Sequence, residues 1–309
     1  MNDLNQFRIG TTARRGGGRA QPHNRFGAAI NRYLGASGYP DPYAVVMARP
    51  EAGRRPSPLA ATGGTVLVGV DDSAISCVAL DHAAIEADLH GWGIRLVTVR
   101  RTGAGDAGAE LLERLTDRVH ASAPQVVVSS RLATGAHPAQ ILLAQAADAD
   151  LVVVGHRHGA TVSAIGRSVA DRVGRAHPGP VLVVRMPGWP AGPEFGSRPL
   201  VAAVDGSTPS QAAVDFALAE ARVRGCDVTL LHIVGDRMDL ARRLESRDGV
   251  PVRHRILSGD PVNALIEESK RAAAVVVGRH RHSMISGSLL GPAAHVLPVR
   301  AFCPVFLAG

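Results

Sequence analysis

The chain has 309 residues, 46% of them hydrophobic, with a formal net charge of +7 and three cysteines. That length and apolar content are enough for two domains with cores of their own. Cys77, Cys226 and Cys303 form no C-x-x-C pair, which argues against both a disulfide framework and a zinc site and suits a reducing cytoplasm.

No stretch approaches the roughly 18 apolar residues of a membrane span, and MNDLNQFRIG lacks the apolar region of a secretory signal. Most of the charge lies in residues 1–60, where nine arginines against Asp3, Asp41 and Glu51 leave +6. Lys270 is the single lysine beside 33 arginines, so arginine abundance alone does not mark a phosphate site. Five of the eleven aromatic residues (Phe7, Phe26, Tyr33, Tyr39 and Tyr43) stand among these arginines. Phe26–Leu34 reads as a short amphipathic helix and the rest of 1–60 as disordered. Such a tail suits RNA or an anionic surface, and equally a solubilising extension.

Beyond the tail, apolar runs predict strands near 66–70, 94–99, 126–130, 151–154 and 181–184. A helix is expected over Ser76–His90, with Val78, Leu80, Ala84, Ile85 and Leu89 inward and Asp81, Glu86 and Asp88 facing water. Residues 186–198, broken by Pro187, Pro190 and Pro193, read as a linker between a domain at 62–185 and another at 199–309.

The second domain repeats the first. VLVGVDDSAIS (66–76) returns as LVAAVDGSTPS (200–210), which sets Asp205 134 residues after Asp71. Pro138 and Gly155 return as Pro261 and Gly278, 123 residues on. Since Val97–Val99 still matches Leu231–Ile233, eleven residues are lost between 100 and 137, and the expectation is a shorter second helix in repeat 2. The matching helix to Ser76–His90 is Ala213–Arg224.

An apolar strand ending in Val-Asp-x-Ser, a Gly-x-Pro helix start before Val-Val-Val-Gly, and a final Pro-Val-Leu-Val-Val strand resemble the universal stress protein family, here as a tandem pair. The resemblance covers about residues 62–185 and 198–309. It implies an α/β fold: two doubly wound five-stranded parallel-sheet domains of the adenine-nucleotide-alpha-hydrolase-like type, strand order 3-2-1-4-5, with helices on both faces. Ligands of such sheets lie at the carboxyl ends of the strands where the order reverses, between strands 1 and 4. The family also pairs its fifth strands, which here would join PGPVLVVRM (178–186) to CPVFLA (303–308) and leave a homodimer open.

The resemblance further implies adenine nucleotide, ATP with magnesium, as ligand. Asp71 and Asp205 would flank it, Val99 and Ile233 would lie near the base, and Gly155, Gly159, Ser168, Val169, Gly278 and Gly291 would approach the phosphates. The family's ATP loop runs Gly, two residues, Gly, nine residues, Gly, then Ser or Thr, because glycine admits phosphate to the backbone and a helix N-terminus offers free N–H groups. Repeat 1 keeps Gly155 and Ser168 but has His158 in the second glycine position, Arg167 before the serine, and one residue too few. Repeat 2 keeps the spacing and Gly291 but has Arg281 for the second glycine and Pro292 for the hydroxyl.

Arg157, Arg167, Arg279 and Arg281 near a helix N-terminus would still favour an anion. His156-Arg157-His158 and His280-Arg281-His282 offer paired imidazoles without an acidic or cysteine partner nearby, and a solvated basic loop is the plainer reading. Asp71-Asp72-Ser73 and Asp205-Gly206-Ser207 read as helix caps with their turns. With no Rossmann or P-loop fingerprint, enzymatic chemistry is limited to slow ATP hydrolysis at most. The expectation is a stress-linked regulator or adaptor that acts by binding; its rival uses the basic tail on nucleic acid or ribosomes, with the two domains as scaffold.

Overall fold

The computed structural model describes residues 24–37, 63–101, 106–156, 168–186, 195–233, 244–257, 259–279 and 292–309. Helix α1 spans Arg25–Ser37 and precedes the first repeat: β1 (Thr65–Val70), α2 (Ala74–His90), β2 (Gly93–Arg100), α3 (Ala107–Ser122), β3 (Val128–Thr134), α4 (Pro138–Gln145), β4 (Leu151–His156), α5 (Val169–Ala176) and β5 (Val181–Arg185). After a 3-10 turn at Phe195–Ser197 the second repeat follows: β6 (Leu200–Val204), α6 (Thr208–Arg224), β7 (Val228–Ile233), β8 (Leu244–Arg247), β9 (Val250–Leu257), α7 (Pro261–Ser269), β10 (Ala274–Gly278), α8 (Ala293–Arg300) and β11 (Val305–Ala308).

The strands form one eleven-stranded sheet in the order β3-β2-β1-β4-β5-β11-β10-β6-β7-β9-β8. Each repeat keeps the expected 3-2-1-4-5 order, with β9 as the third strand of the second. The repeats meet where β5 pairs antiparallel with β11, in the register Val183↔Val305 and Leu182↔Phe306. Two free edges are removed from solvent by that pairing. Continuous apolar runs such as TVLVGV and LVVVGH serve these strands because helices cover both faces of a parallel sheet. Val66 and Val68 pack toward α1, α2, α3 and α6, while Leu67 packs toward α4, α5, α7 and α8.

Two expectations need correction. Asp81 and Glu86 do not face water: both are fully buried, because α2 is covered by α1 and α3 as well as by the sheet. Asp88 is mostly buried too, ion-paired with Arg32. The shorter second helix expected of repeat 2 falls on residues 234–243, outside the described residues; after them β8 folds back antiparallel on β9 through Asp248-Gly249. Finally, β3 begins at Val128 rather than 126.

Helix α1 is longer than expected and belongs to the interior. Phe26, Ala29, Ile30 and Tyr33, spaced as one helical face, are each at most 4% exposed. The Phe26 ring meets Phe195 edge-on at 5.7 Å. The Tyr33 hydroxyl donates to Asp81 Oδ1 at 2.7 Å, and Arg118 donates to both oxygens of the same carboxylate at 2.7 and 2.8 Å. Asp81 is thus buried with its hydrogen bonds made.

Candidate functional site

In repeat 1 the sheet order reverses between β1 and β4, and a cavity of about 430 Å³ opens there. Asp71, Val99, Gly155, Ser168 and Val169 all line it. Val97, Val154 and Leu142 make its apolar floor, and Asp71 is the carboxylate at its edge. The volume lies within the range that holds small organic ligands. A more open cleft of about 610 Å³ adjoins it through Asp71, Ser73 and Ile75 and brings Arg100 and His156 to the mouth.

Each side chain is held by local structure. Asp71 follows the last residue of β1, and its Oδ1 accepts from Ser73 N at 2.9 Å, from Ser76 Oγ at 2.8 Å and from the Ser73 hydroxyl. This fastens the carboxylate to the first turn of α2. Ser168 caps α5: its Oγ accepts from Asp171 N, and Asp171 Oδ2 accepts from Ser168 N, both at 3.1 Å. At the rim Arg100 Nη2 donates to Asp72 Oδ2 at 2.7 Å. His156 Nε2 stands 3.9 Å from Asp171 Oδ1.

Gly155 is required by packing before any ligand is considered. A Cβ there would stand 2.8 Å from Ile75 Cγ1, where α2 crosses β4. Gly278 is tighter still: a Cβ would lie 2.1 Å from Pro209 O and 2.9 Å from Pro209 Cβ. Pro209 occupies in repeat 2 the position that Ile75 occupies in repeat 1, so the first turn of α6 presses on the end of β10.

Asp205 keeps the turn of its counterpart, its Oδ1 accepting from Ser207 N at 3.0 Å and Ser207 Oγ at 2.5 Å. Ile233 ends β7. Gly159, Gly291, Arg157, Arg167 and Arg281 lie outside the described residues. So do His158, His280 and His282.

Arg279 overturns the anion-facing expectation. It is 6% exposed and donates to the carbonyl oxygens of Gly174 at 3.0 Å, His177 at 2.5 Å and Gly179 at 2.6 Å, with Pro178 at 3.3 Å. These carbonyls end α5 of the other repeat, so the guanidinium meets the negative end of a helix rather than the positive one. Arg185 does the reciprocal at α8, donating to Ala301 O at 2.7 Å.

Reading the sequence missed Ser76 and Arg100. Ser76 was the retrievable one, since a second serine in the first turn of α2 can reach back to Asp71. Arg100 ends β2 on the same rim as His156 and carries no local motif.

Two tandem doubly wound α/β domains joined through their fifth strands, with a cavity at the first switch point, define the adenine-nucleotide-alpha-hydrolase-like class. The universal stress protein family profile matches residues 64–185, 196–248 and 236–308. The chain belongs to the universal stress protein family. A universal stress protein of Mycolicibacterium smegmatis is 32% identical over 291 residues, covering 80% of this chain and 97% of its own length. One from Mycobacterium tuberculosis is 32% identical over 186 residues, covering 51% of this chain and 58% of its own. A crystal structure of a universal stress protein from Archaeoglobus fulgidus superposes with a TM-score of 0.63 at 16% identity, covering 80% of this chain and 96% of that one. No described helix is long and apolar enough to cross a membrane.

Proposed function

We propose that this protein binds one adenine nucleotide per chain, in the cleft of repeat 1, and acts as a regulator or adaptor whose state depends on that occupancy. The observation that carries the reading is the cavity of about 430 Å³ that joins Asp71, Val99, Gly155, Ser168 and Val169 at the switch point. Its apolar lining of Val97, Val99, Leu142 and Val154 suits a purine ring, and a carboxylate held at the edge suits ribose hydroxyls. Phosphates of ATP would lie toward Ser168 and Arg100 at the mouth, and magnesium would arrive with them, since this ion binds through phosphate oxygens and keeps much of its water. In repeat 2 the pressure of Pro209 on Gly278 and the diversion of Arg279 into α5 argue for a structural role.

The rival use of residues 1–60 on RNA or an anionic surface loses two of its five aromatic residues, because Phe26 and Tyr33 are buried in α1. They cannot stack on bases without undocking the helix.

Thermal unfolding with ATP and magnesium tests the reading. Ligand at 100 times Kd adds about 2.7 kcal/mol, a shift of several degrees. Asp71→Asn should weaken binding about tenfold while Asp205→Asn leaves it unchanged. No shift at millimolar ATP with magnesium would remove the nucleotide; equal losses in the two variants would remove the single-site assignment.

A further inference from the structure

On the side of the sheet opposite α5 and α8, α2 and α6 meet over the joint between the repeats. Glu86 and His90 lie four residues apart on α2, and Glu220 and Arg224 lie four apart on α6, at the matching positions of the duplicated unit. Each pair shares one helix face. The four side chains therefore converge across the pseudo-twofold axis from symmetry-related places, with histidine on one side and arginine on the other.

Arg224 is fully enclosed and takes one oxygen of each glutamate: its Nε donates to Glu220 Oε1 at 2.6 Å, and its Nη2 donates to Glu86 Oε1. The second oxygens point elsewhere. Glu220 Oε2 lies 3.0 Å from His90 Nε2, and Glu86 Oε2 is buried with no hydrogen-bond partner. One ligand atom from each of Glu86, His90 and Glu220 lies within 4.8 Å of the others. Both carboxylates crowd one guanidinium, and a carboxylate oxygen enclosed without a hydrogen bond calls for a partner.

We propose that Glu86, His90 and Glu220 bind one zinc ion where the two repeats meet, with Arg224 holding the far oxygens of both carboxylates. Imidazole nitrogen with carboxylate oxygen is a zinc-type ligand set, and ligating carboxylates are ordinarily fixed by such outer hydrogen bonds. His90 is 15% exposed and gives the site its path to solvent, from which water completes the coordination. The ion ties α2 to α6 and stabilises the pairing of the repeats.

The test is equilibrium dialysis of the full chain, freed of metal by chelator, against zinc chloride, with a competing dye to give Kd. One zinc per chain and a higher Tm are expected. His90→Gln, at a partly exposed position, should keep the far-ultraviolet spectrum and weaken zinc at least tenfold, and Glu86→Gln should do the same. A control with both His158→Gln and His282→Gln, in the basic loops, should retain the site. The proposal is overturned if the chain retains no zinc, or if the loop variant and not His90→Gln loses it.

Discussion

Asp81 is fully buried near the middle of α2 and is matched by the Tyr33 hydroxyl and both ends of the Arg118 fork. Removing the hydroxyl leaves Arg118 in place, so Tyr33→Phe should cost about 1.5–3 kcal/mol, the worth of a hydrogen bond to a charged group. Burial first, and then the charge of Asp81, raise the Tyr33 pKa far above its ordinary value of 10.0. The sign follows: below pH 10 the phenol is neutral in both states, and above it only the unfolded chain releases the proton. Wild-type stability should therefore fall as pH rises past 10, and the profile of Tyr33→Phe should be flatter there. Denaturant midpoints from pH 8 to 11 check both parts; parallel profiles would remove Tyr33 as the alkaline group. The sequence hid this arrangement because the partners of Asp81 stand 48 and 37 residues away. Acidic residues at 81, 86 and 88 look like a solvated stripe when α2 is read by itself.

Among elements, the strands and the first helix of each repeat were legible because apolar runs and helical spacing are local signals. Hairpin β8–β9 was not anticipated, yet its signal was present: Asp248-Gly249 between two extended segments is a two-residue turn of the kind that needs positive φ at both positions. The observed φ values are 49° and 82°. Counting lost residues against repeat 1 favoured a shortened copy of α3 over this turn. The candidate site divides in the same way, for Asp71, Gly155 and Ser168 follow from motif spacing, while the close approach of Pro209 to Gly278 is made across the fold. Gly249→Ala places a Cβ in the left-handed region and should cost about 1–2 kcal/mol. With nothing within 4 Å of that Cβ, the loss is conformational rather than steric. Gly249→Asn should recover part of it, and an alanine variant as stable as wild type would contradict the turn.

Across the whole molecule, the joint between repeats is built on both sides of the sheet. On one side α1, α2 and α6 share a core with Phe306 of β11, and the Arg224 guanidinium lies 4.2 Å from the Phe26 ring centroid and 5.3 Å from that of Phe306. On the other, Arg279 and Arg185 reach across β5 and β11 to the helix ends of the opposite repeat. A continuous sheet with a core shared in this way leaves neither repeat a separate hydrophobic unit, so heat or denaturant should unfold the described body in one transition. Arg279→Leu tests the joint on the face that carries α5 and α8. Deleting the guanidinium strands the carbonyls of Gly174, His177 and Gly179 and removes a cation from the end of α5, a loss of about 3 kcal/mol from charge-assisted hydrogen bonds. Calorimetry should show the single peak moved down by several degrees with its one-step shape retained. Two resolved peaks in the wild type would mean that the repeats fold independently and that the arginine clasps only decorate the joint.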